Sequence, residues 1–184
     1  ISNSLDGKVN LQNILSVYVV SIILKINLKT YLYAIKSFRG LPHRLQKIKE
    51  NKNFTVINNS KATNIDSAIK SLEAYDNIYL ILGGRIKEKN FLGFKKYKQK
   101  IKKCYIIGES SKYIHNQLKN DIESNISKNL KVALKKIFLE VKRNKFKSTI
   151  LLSPACSSYD QFENFEERGK KFVEFVNQEL NKIY

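Results

Sequence analysis

The sequence lacks methionine and tryptophan altogether, and among its 184 residues it has only two cysteines, two prolines and seven glycines. Cys104 and Cys156 lie far apart and match no metal-ligand spacing, so we expect reduced, buried thiols and no disulfide framework. Because the chain begins at Ile1 and contains no methionine, we expect it to be a fragment of a longer protein. No window resembles a signal peptide, and the longest apolar run, VYVVSIILKI, is too short to span a bilayer. We therefore predict a soluble, cytosolic protein in which this run forms a buried helix.

Acidic residues are also scarce, since 16 of them face 34 basic residues and the formal net charge is +18. Such an excess raises the hypothesis of nucleic-acid binding. However, 29 of the basic residues are lysine, and the chain also has 19 asparagines and 22 isoleucines, residues that share A/T-rich codons. The lysines are spread over most of the chain and are not interleaved with aromatic residues, as a base-stacking platform requires. We interpret the charge mainly as a solvated surface.

The first forty residues have the pattern of helices. Apolar residues from Leu11 to Ile23 keep the i, i+3, i+4, i+7 spacing of an amphipathic helix, and a second, short helix is predicted over about 28–38. Gly40-Leu41-Pro42 then breaks the pattern, because proline disfavours helical backbone at the residue before it. We place a domain boundary there, which divides the chain into residues 1–39 and 40–184.

The rest of the chain alternates short apolar strands with helical patterns. LQKIKEN and FTVINN alternate around residues 51–53 and predict a β-hairpin. Further strands are predicted at 78–82, 104–108, about 121–126 and 148–153. Helices are predicted at about 64–75, 91–101 and 128–143, and from about 111 and 165. Uninterrupted apolar strands separated by helices are typical of a mostly parallel sheet. The predicted fold is therefore α/β, a Rossmann-like doubly wound sheet with helices on both faces, preceded by two helices from a neighbouring domain.

Three polar turns follow the apolar strands of this predicted sheet. They are NNSKAT (58–63), GGRIK (83–87) and SPACSSYDQF (153–162). Ligands of such sheets collect outside the carboxyl ends of the strands. We therefore expect the three turns to face one site.

Four motifs, in this order and spacing, carry a resemblance to a known family: GLPHR (40–44), NSKATN (59–64), LGGRIK (82–87) and LSPACSSYDQFENFEERG (152–169). They closely resemble the C-terminal domain of the Mur ligases, and within that family the members that add D-glutamate. GKVNLQN (7–13) resembles the end of the family's ATP-binding central domain. The resemblance implies that 1–39 is the tail of that central domain and that 40–184 is the D-glutamate-binding domain.

The resemblance implies an ATP-dependent, ADP-forming amide-bond ligase of bacterial peptidoglycan synthesis, monomeric and cytoplasmic. In this family ATP and Mg²⁺ convert the carboxylate of UDP-N-acetylmuramoyl-L-alanine to an acyl phosphate, which the amine of D-glutamate attacks through a tetrahedral intermediate. The P-loop, the Mg²⁺ ligands and the UDP-binding domain are expected upstream, because no GxxxxGK[ST] is present here. We therefore predict no metal site in this chain and no activity from the chain alone.

The resemblance also implies an ATP-binding set: Asn10, Asn13, His43, Arg44 and Asn59. The first two lie three apart and share a helix face, where carboxamides suit the edge of adenine, although helix capping is an alternative for Asn10. Arg44 is expected to contact phosphate through its planar guanidinium, with His43 beside it. Asn59 stands where relatives commonly have an aspartate that holds ribose. Val9 stands where the family usually has histidine.

For D-glutamate, the resemblance implies a second set: Thr63, Lys87, Ser158 and the backbone N–H groups of Tyr159 and Phe165. Lys87 is expected to pair with the side-chain carboxylate and Ser158 to donate to the same group. Thr63 is expected to bind a carboxylate and also to cap the following helix. Lys61 is assigned to catalysis, because its charge suits the developing tetrahedral anion.

Two alternatives remain beside this interpretation. One is a folylpolyglutamate-synthase-like ligase domain of the same superfamily, which the SKATN and SPACSSYDQF motifs disfavour. The other, from a different class, is a basic nucleic-acid-binding α/β module. The main hypothesis names D-glutamate as the partner of this chain and expects neither nucleic acid nor membrane as a partner.

Overall fold

The structure is a computed structural model that describes residues 8–144 and 146–182, with the side chains of Lys8 and Val9 also outside the description. The predictions made for Val9 and for the chain start at Ile1 therefore concern residues or side chains outside the described part of the chain. The chain divides into two compact units, Ile1–Pro42 and His43–Tyr184. The assignment of these units to a central and a C-terminal ligase domain stays a prediction.

The second unit is built on a six-stranded sheet with the order β1-β2-β6-β3-β4-β5. Its strands are β1 (Gln46–Glu50), β2 (Phe54–Asn58), β3 (Ile78–Gly83), β4 (Ile101–Ile107), β5 (Ser124–Ile126) and β6 (Ser148–Leu152). β1 pairs antiparallel with β2, and the other neighbouring strands pair in parallel. The predicted hairpin is confirmed, and Asn51 forms its turn by accepting the N–H groups of Asn53 and Phe54, each at 2.9 Å.

Helices lie on both faces of the sheet, which confirms the doubly wound α/β prediction. They are α3 (Ile65–Ser71), α4 (Ser111–Leu118), α5 (Leu130–Val141) and α6 (Phe165–Leu180), preceded in the first unit by α1 (Lys8–Ile23) and α2 (Leu28–Ser37). α3 and α4 cover the face that carries Leu80, whereas α5 and α6 cover the face that carries Tyr79 and Ile81. Every residue of β2, β3 and β6 is buried, so these strands do not alternate between a buried and an exposed face. Their short apolar runs predict this.

Asparagine side chains cap four of these helices. The Oδ1 atoms of Asn27, Asn64, Asn129 and Asn164 accept the N–H group three residues later at 2.7–3.0 Å, at the starts of α2, α3, α5 and α6. An N-cap side chain satisfies a backbone donor that the helix itself leaves unpaired. Asn64 therefore takes the capping role that the sequence assigned to Thr63, and that part of the prediction is wrong.

The prediction of an α-helix over about 91–101 is also wrong. A 3₁₀ segment occupies Phe91–Tyr97, and β4 already begins at Ile101. The three-residue repeat of a 3₁₀ helix places Phe91 and Phe94 on one side, where both rings are buried and stack with centroids 6.1 Å apart. Packing of this aromatic pair, together with the weak helix former Gly93, outweighs the helical pattern. α3 likewise ends at Ser71 and continues only as a 3₁₀ turn, Leu72–Ala74.

α1 is helical as predicted, but it is not buried. Leu15 is 53% exposed and Ile22 is 57% exposed, and apolar side chains such as Val17 and Val20 extend beyond the predicted stripe. Inside this unit α1 contacts α2 mainly through Tyr31, whose ring lies 5.2 Å from that of Tyr18. Because α1 is apolar around most of its circumference, the single neighbouring helix α2 cannot cover all of its apolar surface. In the described parts of the chain, no helix combines the length and the apolarity that crossing a membrane requires.

Candidate functional site

The three polar turns lie at neighbouring positions along one edge of the sheet. We call them the β2 turn (59–64), the β3 turn (83–87) and the β6 loop (153–164). β6 lies between β2 and β3 and is parallel to both, so the carboxyl ends of the three strands are adjacent. After β6 the chain continues into α6 on one face, whereas after β2 it continues into α3 on the other. Such a reversal opens a crevice at the strand ends, where ligands of doubly wound sheets bind.

The β6 loop is joined to both neighbouring turns by backbone hydrogen bonds. Toward the β2 turn, Ala155 N–H donates to the Ala62 carbonyl at 3.0 Å. Toward the β3 turn, Gly83 N–H donates to the Pro154 carbonyl at 2.9 Å, and Arg85 and Ser157 exchange two bonds at 3.0 Å. Backbone bonds of this kind hold three sequence-distant segments in a fixed relation. The site therefore sits on a rigid support.

Two glycines make the close approach of the β3 turn possible. Gly83 has φ +115°, and a Cβ there would lie 2.0 Å from the Ile107 carbonyl oxygen. Gly84 has φ +133°, and a Cβ there would lie 2.2 Å from the Ser157 carbonyl oxygen. Both the backbone conformation and the contact distance exclude any other residue without a shift of backbone.

Behind the turns lies a charged side chain that the sequence interpretation missed. Arg168, in the first turns of α6, is only 1% exposed. Its Nε donates to Ser60 Oγ at 3.0 Å, its Nη2 to the Ser60 carbonyl at 2.9 Å and its Nη1 to the Cys156 carbonyl at 3.1 Å. One guanidinium thus joins the β2 turn, the β6 loop and α6. Its position on the stripe with Phe172 and Val176, at i, i+4 and i+8, is the sequence signal that marks it as buried.

Burial lowers the pKa of Arg168 to about 10, because removal from water disfavours the charged form, while Asp160 acts in the opposite direction. The group therefore stays charged at neutral pH. It contributes a fixed positive charge beneath the turns, where anions are expected to bind.

Four of the predicted D-glutamate residues lie on these three turns, and the fifth, Phe165, begins α6. Lys87 is exposed on the β3 turn, and its ammonium forms no ion pair with any residue that the structure describes. Ser158 is buried in the β6 loop, where its carbonyl accepts the N–H groups of Gln161 and Phe162 at 3.0 and 2.8 Å. The Thr63 hydroxyl makes no hydrogen bond within the described chain, since Asn64 provides the cap.

Two backbone donors named by the sequence interpretation are available for an anion. Within residues 8–144 and 146–182, the N–H groups of Tyr159 and Phe165 donate to no acceptor. Phe165 is the first residue of α6, where the helix dipole also favours negative charge. Lys61 lies next to it, with Nζ 3.9 Å from the centroid of the Phe165 ring. The structure thus brings Lys61 of the β2 turn together with Phe165 of α6.

The predicted nucleotide residues are distributed over both units. Asn10 and Asn13 both lie within α1, and the roles predicted for them stay predictions. Arg44 is exposed and makes no ion pair with the described residues. Asn59 is buried, with Oδ1 accepting the Leu45 N–H at 3.2 Å and Nδ2 donating to Ser153 Oγ at 3.1 Å. A ribose contact at Asn59 would therefore use the second lone pair of Oδ1 or the second hydrogen of Nδ2.

The Cys156 thiol and the acidic side chains are the remaining candidates for reactive chemistry. Burial raises the pKa of the Cys156 thiol to about 12, so this thiol stays protonated at neutral pH and is a poor nucleophile. Across the described ranges, no group of three or more His, Cys, Asp or Glu side chains is arranged to hold a metal ion.

Comparison with known proteins identifies the family. No protein-family model matches the chain. Among curated proteins, the chain is 41% identical over 171 residues to the UDP-N-acetylmuramoylalanine–D-glutamate ligase of Wolbachia sp. subsp. Brugia malayi (strain TRS). It is 40% identical over 183 residues to the ligase of that name from Rickettsia felis. These alignments cover 91% and 99% of this chain. The chain belongs to the Mur ligase family.

This Mur ligase segment spans only 34% and 41% of the length of those two relatives. Among solved structures it is similar to the MurF ligase of Thermotoga maritima in complex with ADP, with a TM-score of 0.67, 16% identity and coverage of 95% of this chain and 39% of that one. A murein peptide ligase from Psychrobacter arcticus gives a TM-score of 0.52 at 13% identity, over 91% of this chain and 37% of that one. At these identities the two likenesses establish the fold alone.

Proposed function

We propose that this chain is the C-terminal part of a UDP-N-acetylmuramoylalanine–D-glutamate ligase, which acts as a monomer in the bacterial cytoplasm. The observation that carries the proposal is that Thr63, Lys87 and Ser158 lie on neighbouring turns around β6, with Phe165 at the start of α6, in a chain about 40% identical to ligases of that name. Three hydroxyl or ammonium groups and two unpaired N–H groups at one sheet edge suit a dicarboxylate amino acid.

The proposed reaction joins D-glutamate to UDP-N-acetylmuramoyl-L-alanine. A carboxylate oxygen of the muramoyl substrate attacks the γ-phosphorus of ATP, and ADP leaves. The D-glutamate nitrogen then attacks the acyl carbon, a proton is lost from the amine, and the C–O bond to phosphate breaks. In the family Mg²⁺ assists the first step, with ligands expected upstream of this chain.

In this proposal the chain supplies binding and orientation. Lys87 and Ser158 hold the side-chain carboxylate of D-glutamate, and the N–H groups of Tyr159 and Phe165 complete the set of donors. Lys61 brings positive charge toward the tetrahedral anion. On the nucleotide side of the second unit, Arg44 contacts phosphate and Asn59 contributes an amide group.

The test is an assay of phosphate release with the full-length ligase and with the 184-residue chain. We expect release from the full-length protein only when ATP, UDP-N-acetylmuramoyl-L-alanine and D-glutamate are all present, and no release from the isolated chain. D-Alanine serves as the control amino acid, because it lacks the side-chain carboxylate. Equal turnover of D-alanine and D-glutamate by the full-length protein would overturn the proposal, as would D-glutamate-dependent release by the chain alone.

A further inference from the structure

His43 is held by its backbone in an unusual conformation at the start of the second unit. It has φ +63°, a left-handed conformation in which histidine is tolerated better than most residues. Its N–H donates to Gln46 Oε1 at 3.1 Å, and its carbonyl accepts the Lys61 N–H at 3.0 Å. The residue is 8% exposed, so this conformation directs the imidazole into the domain.

The imidazole is bound by an amide whose orientation is fixed. Asn58 Oδ1 accepts the Ser60 N–H at 3.1 Å, and Asn58 Nδ2 donates to the Gly169 carbonyl at 3.0 Å. The same Nδ2 lies 3.1 Å from His43 Nδ1, so this ring nitrogen must be the acceptor. His43 is therefore neutral here, with its proton on Nε2.

The ring also fills space against the first turns of α6. A Cβ on Gly169 would lie 2.2 Å from His43 Nδ1, so no larger residue fits while the ring is in place. The ring of Phe165 meets the imidazole edge-on, with centroids 6.4 Å apart. One side of His43 is thus formed by the helix turn that carries the predicted D-glutamate donor Phe165.

We propose that His43 is a positioning residue that fixes Arg44 relative to the first turn of α6, and that it acts through this packing without touching the nucleotide. The proposal rests on the proposed function for the roles of Arg44 and Phe165. Because His43 is buried and its neighbour Arg44 is exposed, the anchored imidazole determines where the arginine emerges. It thereby links the phosphate-binding side of the site to the D-glutamate side.

The packing is tested without any ligase assay, by urea unfolding of the 184-residue chain. Gly169→Ala should lower the unfolding midpoint markedly when His43 is present, because the new methyl group occupies the place of the ring. In a His43→Ala background, Gly169→Ala should lower the midpoint by less than half of the decrease that it causes when His43 is present. His43→Asn should unfold closer to the native chain than His43→Ala, since asparagine tolerates positive φ and offers an acceptor. Equal effects of Gly169→Ala in both backgrounds would overturn the packing argument.

The positioning role is tested in the full-length ligase by Michaelis constants. His43→Ala should raise KM for both ATP and D-glutamate by roughly tenfold, as small displacements of binding groups do, whereas Arg44→Ala should raise KM for ATP alone. His43→Asn should recover part of both losses. A change confined to ATP would show direct nucleotide contact, and unchanged constants in a less stable protein would show a structural role only; either result overturns the proposal. If the ligase reaction itself is absent, the unfolding experiment still decides whether His43 is packed as described.

Discussion

The guanidinium of Arg168 holds both oxygen atoms of Ser60, a residue 108 positions earlier in the chain. Nε donates to the Ser60 hydroxyl oxygen at 3.0 Å, and Nη2 donates to the Ser60 carbonyl at 2.9 Å. The Ser60 hydroxyl in turn donates to the Phe165 carbonyl at 2.8 Å, which closes a ring of bonds between the β2 turn and α6. Lys61 and Phe165, two predicted site residues, therefore keep their relative position because Arg168 and Ser60 hold their neighbours.

The first prediction concerns this buried cation. Arg168→Met should lower the free energy of unfolding by roughly 3 kcal/mol or more, because several charge-assisted bonds are lost and their acceptors stay buried. Arg168→Lys should also destabilise, since one ammonium cannot span Ser60 and Cys156 as the planar fork does. Urea unfolding of the 184-residue chain measures both variants. The matched control is Arg143→Met at an exposed arginine, which should change stability by less than about 0.5 kcal/mol. An Arg168→Met chain as stable as this control would contradict the role assigned to the guanidinium.

The second prediction concerns D-glutamate selectivity. In the full-length ligase, Lys87→Ala should raise KM for D-glutamate strongly and lower kcat/KM by about 30- to 1000-fold, which corresponds to roughly 2–4 kcal/mol for a charge-assisted contact. KM for ATP should stay within a few-fold. Ser158→Ala should act in the same direction more mildly, because a neutral donor contributes less. Lys89→Ala, two residues along the same exposed segment, is the control and should change neither constant. Equal weakening of ATP and D-glutamate by Lys87→Ala would refute the assignment of this turn.

The third prediction concerns the amide at Asn59. In the full-length ligase, Asn59→Asp should lower KM for ATP, by restoring a charged hydrogen bond to ribose of about 1 kcal/mol. A carboxylate can still accept from the Leu45 N–H, and the Ser153 hydroxyl can rotate to donate to it, so the turn should tolerate the change. Asn53→Asp, on the exposed hairpin turn, adds the same charge away from the site and should leave KM unchanged. A KM that is unchanged or higher in Asn59→Asp would mean that this residue serves only the internal bonds.

The fourth prediction concerns pH. Burial lowers the pKa of His43 below its ordinary value of 6.5, with Glu166 raising it and Lys170 lowering it further. In the window below pH 6.5 the unfolded chain therefore binds more protons at this residue than the folded chain does. His43 thus contributes stability that is fully present above pH 6.5 and is lost as the pH falls toward its folded pKa. Urea unfolding from pH 7.5 to 5 should show a decline that is smaller in His43→Asn. Parallel pH profiles for the two proteins would rule out this contribution.

The sequence by itself determined most of the elements of the second unit and their type. The strands at 78–83 and 148–152 are buried on both faces, as their apolar runs IYLIL and ILL indicate. Asn129 and Asn164 begin helices because a short carboxamide bonds the backbone three residues on, which is a local effect. The polar turns after β2, β3 and β6 are also recognisable from local sequence. The family and the positions of the predicted site residues could therefore be inferred from the sequence.

The tertiary structure alone decided how these parts meet. The position of β6 between β2 and β3 depends on which helix covers which face, and no local pattern fixes that order. Packing of Phe91 against Phe94 replaced a predicted helix by a 3₁₀ turn. The roles of Arg168 and His43 depend on Ser60, Asn58 and Gly169, partners that are distant along the chain and become neighbours only when α6 lies against the β2 turn. Hydrogen bonds and contacts between such distant segments form only in the folded chain, so the residues of the predicted site can be named from the sequence, whereas their arrangement depends on the fold.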